Sequence, residues 1–255
     1  MRKKHSYYRP LMRLLKAAML LSLAAWLIGW RQSYRLPAGL ELLPDLQQDP
    51  VQAPVREGAF EFDYAGHTYV VEPLANYELW GLVVTHNDTR GIGDIYHDGK
   101  SVDIRDLCVV WGDNADIEFL RNFSFWSNSW TCHIKTSSRR AFSEFNQLQL
   151  SNNHLLSPHS SVRRKILASS VGDQVHIKGQ LVNYHRKGSA DMRRKTSLTR
   201  SDTGNGACEV VFVDSFELLA AGNRGWRQAR DIGRLAFLLS LVCAVMFFVL
   251  DAYRR

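Results

Sequence analysis

The densest run of chemistry-bearing side chains lies between His185 and Arg200, where Arg186, Lys187, Arg193, Arg194, Lys195 and Arg200 stand against Asp191. Cationic groups at this density attract anions, so an anion-binding loop built on these six residues is one expected site. A solvated loop that balances acids elsewhere, or meets anionic lipid headgroups, has the same composition. The contrast with the rest of the middle is strong: residues 121–200 hold 14 Lys/Arg against 3 Asp/Glu, whereas residues 36–120 hold 4 against 16.

A second cluster, His86, Asp88, Asp94, His97 and Asp98, offers imidazole and carboxylate ligands of the kind divalent metals take. A Gly- and Asp-rich loop between strands arises for turn chemistry alone, and that is the expected role here. Ser151-Asn152-Asn153-His154 precedes a short helix and is expected to build turns and a cap, because the sequence shows no base or nucleophile as a partner for His154. Gly99-Lys100-Ser101 ends like a phosphate loop, yet Asp94 stands where that pattern requires glycine, and Gly91-Ile92-Gly93 fails as a dinucleotide fingerprint at Tyr96. Asp202-Thr203-Gly204-Asn205-Gly206 lacks the alternation and distal glutamate of a calcium loop. No strand-borne Cys/His pair is apparent, so neither a catalytic residue nor a cofactor is expected.

Cysteine chemistry depends on compartment. Cys243 lies in an apolar run, while Cys108, Cys132 and Cys208 fall on expected strands, where they read either as small buried side chains or, outside the cytoplasm, as sources of a Cys108–Cys132 bridge with one thiol left over.

The elements that must position these residues start with two apolar runs, 14–30 and 235–250. Each is near the short end of the ~17–25 residues that span a bilayer, with basic flanks able to snorkel. Residues 1–35 and 224–255 together hold 14 Lys/Arg against 2 Asp/Glu, so the overall charge of +7 belongs to the membrane flanks and is no argument for nucleic acid. Arg2, Lys3, Lys4, Arg9 and Arg13 precede the first run and Lys16 stands at its start, which places the N-terminus in the cytoplasm by the positive-inside bias. Ala24-Ala25-Trp26 lacks a small-x-small cleavage pattern, so an uncleaved anchor is expected. Arg224, Arg227, Arg230 and Arg234 precede the second run and pull the other way, but the first helix usually dominates.

Between the anchors a Pro-rich acidic linker, 31–56, leads into residues 57–222. Phe60–Tyr64 and His67–Val71 alternate about Ala65-Gly66 as a hairpin. Further strands are expected at Tyr77–Thr85, Asp106–Trp111, Phe123–Thr136, Gln174–Tyr184 and Ala207–Leu218, with a helix at Ser161–Ser169 capped by Ser160 or Ser161. Three strands, a helix and two strands is the element order of an OB-fold. The expected fold is mainly β: an OB-like, five-stranded, partly open barrel with one short helix, preceded by a hairpin and flanked by two transmembrane helices. Leu79-Trp80-Gly81-Leu82-Val83 and Val171-Gly172-Asp173-Gln174-Val175-His176-Ile177-Lys178-Gly179 resemble the first and fourth strands of such barrels. The order helix, OB-like domain, helix also resembles the mitochondrial membrane-anchored ubiquitin ligases of the GIDE type, in architecture alone, since the cysteine and histidine spacing of a RING is absent.

The expected function is a binding or assembly module in the inner (plasma) membrane. Residues 1–13 and the tail 251–255 lie in the cytoplasm, 223–234 is a basic juxtamembrane segment, and the domain is outside. Its partners are lipid through the two helices and an envelope protein or anionic polymer. An envelope enzyme using the His/Asp loop with a metal is one alternative. Nucleic-acid binding by a cytoplasmic domain is another, disfavoured because the basic loop has no stacking aromatics between Arg186 and Asp202.

Overall fold

In the computed structural model the described residues are 8–89, 100–189, 193–202 and 207–253. They divide into two compact units, one formed by the two terminal segments and the other by Leu36–Gly222.

The terminal unit pairs α1 (Tyr8–Ser33) with α5 (Arg224–Tyr253), each containing a stretch long and apolar enough to cross a membrane, Pro10–Ser33 and Arg224–Leu250. As α5 advances from Asn223 to Phe237 its partners on α1 recede from Arg35 to Trp26, so the helices run antiparallel. Glycine makes this possible. A Cβ on Gly29 would sit 2.5 Å from the Arg230 backbone nitrogen, and one on Gly233 would sit 2.6 Å from that of Trp26. Close backbone approach through small residues is how apolar helices associate where water supplies no hydrophobic drive between them.

In the middle unit, β2 (Phe60–Tyr64) turns through Ala65 and Gly66, both left-handed, into β3 (His67–Asp88). Two left-handed central residues match the right-handed twist of the arms. β3 continues far beyond the hairpin as one strand of 22 residues. It pairs antiparallel with β1 (Val51–Pro54), with β4 (Asp103–Val110) and with β8 (Gln174–Arg186). β4 pairs antiparallel with β7 (Leu150–Leu156), β7 pairs parallel with β9 (Glu209–Ala220), and β9 returns antiparallel to β8. The sheet is therefore mixed, and β3, β4, β7, β9 and β8 close a ring of five strands. α4 (Ser160–Ala168) joins β7 to β8; its N-cap is His159 without a side-chain bond, not the serine expected from sequence.

Alternate residues of all five strands face one interior: Leu79 and Val83, Leu107 and Val109, Leu155, Val175 and Ile177, Val211 and Val213, with Ile166 of α4. Gly179 lets two strands pass closely, since a Cβ there would lie 2.1 Å from the Phe212 carbonyl oxygen. The outward residues of β4 and β7 are buried too, beneath a second apolar cluster that contains Cys108, Val110, α2 (Ile117–Leu120) and Ala141 of α3 (Arg139–Glu144). Coverage on both faces explains why these strands do not alternate in hydropathy.

Three sequence expectations are corrected. Phe123–Thr136 is not one strand but a separate hairpin, β5 (Ser124–Ser127) and β6 (Cys132–Lys135), whose tip is organised by Asn128 Oδ1 accepting from the Trp130 and Thr131 amides. The Pro-rich stretch holds a 3-10 turn at Pro44–Gln47 with Leu46 fully buried, and its Val51–Pro54 adds a strand to β3, so it is ordered on the middle unit. Ser151–His154 does not cap a helix; it forms most of β7, in the centre of the sheet. Its polar side chains misled the pattern because the sheet's own polar groups satisfy them, as when Asn153 Nδ2 donates to Ser151 Oγ over 2.7 Å.

Candidate functional site

Register brings together three residues that are 48 and 54 positions apart in sequence. Asp106 of β4 is paired directly with His154 of β7, and the Asn153↔Glu209 pairing sets Cys208 beside Asn152 across the parallel ladder. Because strand side chains alternate faces, Asp106, Cys108, Asn152, His154 and Cys208 all lie on the outward side of the ring, away from Leu107, Leu155 and Val211.

His154 Nδ1 lies 2.5 Å from Asp106 Oδ1, and both side chains are almost fully buried. Burial alone would push this imidazole towards its neutral form, but the charge and hydrogen bond of Asp106, with a bond to Cys208, outweigh it and hold the pKa up at about 9. For Cys208 burial pushes the thiol up, yet hydrogen bonding and charge from His154, and a bond from Asn152, bring it below its ordinary value. Asn152 Nδ2 donates to the sulfur over 3.5 Å, and the thiol can donate to the Trp130 carbonyl at 3.7 Å. Beside His154 the thiol therefore ionises more readily than an ordinary one, with a carboxylate fixing the ring, and Cys208 is half-exposed where Asp106 and His154 are not. This is the arrangement by which a cysteine is activated as a nucleophile.

Arg194 completes the cluster. Its Nη2 lies 2.9 Å from both ring nitrogens of His154, which places it against the ring instead of on one lone pair. Burial opposes its charge, but Tyr184, Asp103, Asp106 and Cys208 hold its pKa above the ordinary value. The loop that carries it is pinned: Arg194 and Tyr184 exchange backbone hydrogen bonds, Thr196 Oγ1 accepts from the Val210 amide, and the Ser197 amide donates to the Cys208 carbonyl. Among the described residues, two buried acceptors beside the sulfur, Asp106 Oδ2 and Asn152 Oδ1, have no hydrogen-bond donor.

Of the other residues expected to bind anions, four have protein partners. Lys187 is ion-paired with Glu61 at 2.8 Å, Arg193 with Glu72, and Arg200 with Glu209. Arg186 Nε donates to Tyr69 Oη over 3.2 Å, while Lys195 is exposed. Arg200 also packs its guanidinium over the Tyr77 and Trp111 rings at 5.4 and 5.3 Å. Cys108 and Cys132 are joined by a disulfide with Cα atoms 6.0 Å apart, which pins the β5–β6 hairpin to β4. Of the His/Asp loop, Asp94, His97 and Asp98 lie outside the described residues. Asp88 is ion-paired with Arg105, and burial together with the Arg105 charge lowers His86 to about 4 against the pull of Asp88. Among the described residues no His, Cys, Asp and Glu side chains cluster in a metal-holding group.

The sequence shows no Cys/His pair because Ser151–His154 has the composition of a turn; as part of strand β7 it lies between β4 and β9 and brings His154 beside Asp106. Comparison with protein-family models, curated proteins and solved structures returns no match.

Proposed function

We propose that this chain is a membrane-tethered thiol enzyme in which Cys208 is the nucleophile, His154 the group that holds and returns its proton, and Asp106 the residue that orients His154. The observation that carries the reading is the buried Asp106–His154 pair ending on a half-exposed sulfur. Asn152 Nδ2, already directed at the sulfur, is suited to donate to negative charge that develops beside it.

The domain itself reads as OB-like. Support comes from the closed order β3-β4-β7-β9-β8, from its parallel β7–β9 pair and from α4 between the third and fourth strands of the ring. Export from the cytoplasm is supported by the basic residues ahead of α1 and by the Cys108–Cys132 bridge, which persists in oxidising compartments. A non-catalytic module that binds an envelope protein or an anionic polymer is the second reading, favoured by the basic excess of residues 121–200.

The test is alkylation of Cys208 by iodoacetamide on the full chain in detergent, read by mass spectrometry from pH 4 to 10. Cys208 is expected to react with a midpoint below the ~8.5 of a free thiol, and His154→Gln to raise that midpoint, because the hydrogen bond and charge of His154 are the leading causes that lower it. A wild-type midpoint at or above the free-thiol value would refute the nucleophile and leave the binding module.

A further inference from the structure

The sulfur of Cys208 is not alone on its face of the sheet. Cys108 is the direct ladder partner of Asn152, and Asn152 hydrogen-bonds Cys208, so Cys108 of β4, Asn152 of β7 and Cys208, the residue before β9, form one row. Neighbouring strands are about 4.8 Å apart, so the outer members of such a row lie roughly 10 Å apart at Cα, with their side chains on one side. Cys108 is bonded to Cys132, and the chain two residues before Cys132 already touches the site, since Cys208 Sγ lies 3.7 Å from the Trp130 carbonyl oxygen. Burial sorts the two bridge sulfurs: Cys108 is fully buried, while Cys132 is half-buried on a hairpin. Asn152, 5% exposed, is directed at Cys208 through Nδ2 and keeps an unpartnered Oδ1 among the described residues.

We propose that Cys208 is the attacking thiol of a disulfide-exchange centre, that its partner within the chain is the Cys108–Cys132 bridge, and that the external substrates are thiols and disulfides. The inference rests on the activated-cysteine reading above and narrows it from electrophiles in general to sulfur. In the internal step the Cys208 thiolate attacks Cys132 Sγ, a Cys132–Cys208 bond forms, the Cys108–Cys132 bond breaks, and the electron pair leaves on Cys108. The buried Cys108 sulfur then takes up one proton, the equivalent of the one Cys208 gave up, so the step balances. No net oxidation occurs and no outside oxidant is needed. The product carries its bridge at the half-exposed sulfur. An external thiolate attacking Cys208 there forms a mixed disulfide and releases Cys132 as its thiolate.

The experiment maps linked peptides in the full chain in detergent, quenched in acid. Cys108→Ser, exposed to oxidised glutathione, is expected to form a Cys132–Cys208 bond in most molecules. Adding His154→Gln should slow its formation at pH 7, because less of Cys208 is then thiolate. Wild-type chain given a trace of reduced glutathione should yield the Cys132–Cys208 peptide as a minor species, a readout that survives if Cys108→Ser does not fold. If Cys208 alkylates with a low midpoint but no Cys132–Cys208 peptide appears in either protein, the exchange proposal fails and the nucleophile stands. An ordinary Cys208 midpoint removes both. One equivalent of zinc on the purified reduced chain, lost with Cys208→Ser, would also overturn exchange, because the sulfurs would then be ligands.

Discussion

Replacing Asp106 by Asn removes the charge that keeps His154 protonated and leaves a side chain of nearly the same shape. His154 titrates at about 9 in the folded chain against 6.5 as a free side chain. At 1.36 kcal/mol per pK unit, that separation corresponds to about 3 kcal/mol of stability. The folded pKa is raised, so the contribution is complete below pH 6.5, shrinks as pH rises and is gone above about 9. Cys208 has the opposite slope, because a lowered thiol pKa stabilises at high pH and its contribution fades as pH falls through the folded value. A Cys208→Ser background separates the two, and Asp106 remains the larger of the groups that raise His154. Urea unfolding of the full chain in detergent, read by pulse proteolysis at pH 6.5 and 9.5, is the assay. The parent should lose about 2–3 kcal/mol between the two pH values, and Asp106→Asn should lose little or gain. With the carboxylate gone, burial and Arg194 both push His154 towards neutral, so its residual pH dependence changes sign. A parent whose stability is flat across this range would refute the charged His154–Asp106 pair and everything built on it.

Arg194→Gln is expected to raise Arg194's neighbour His154 further, because the Arg194 charge lowers that pKa, whereas Lys195→Gln should leave both His154 and the Cys208 alkylation midpoint unchanged; NMR titration of the imidazole and the alkylation profile check this. Gly179→Ala should destabilise the middle unit by more than about 2 kcal/mol in the same urea assay, since its new methyl meets the Phe212 carbonyl, a backbone atom that cannot step aside. Gly233→Leu should separate α5 from α1, lowering the yield of disulfide cross-links between cysteines introduced in the two helices. Protease added outside spheroplasts should digest the residues 36–222, and digestion only after lysis would oppose export.

Much of the frame was legible because it depends on local pattern. Apolar runs at both ends mark helices long and apolar enough to cross a membrane, and the alternation of Val175, Ile177 and Leu181 along β8 declares a strand with one face inward. The Phe60–Val71 hairpin follows from alternation about Ala65-Gly66, and strands with one helix before the last two define the order of the ring. The site was not legible, and β7 is the reason. Ser151, Asn152, Asn153 and His154 carry the composition of a turn, and only their pairing within the sheet turns them into strand residues, with Asn153 bonded to Ser151 and His154 to Asp106. Once β7 lies antiparallel to β4 and parallel to β9, alternation puts Asp106, His154 and Cys208 on the same side, and the tertiary fold alone supplies that register. The basic loop shows the converse. Sequence counts charges, but Glu61, Glu72 and Glu209 are brought to Lys187, Arg193 and Arg200 by chain folding, and Arg194 is turned from a surface cation into a wall of the His154 site. Local pattern fixes which segments are elements, because their hydrogen bonds and apolar faces repeat along the chain; which side chains meet depends on strand order and register, which only packing decides.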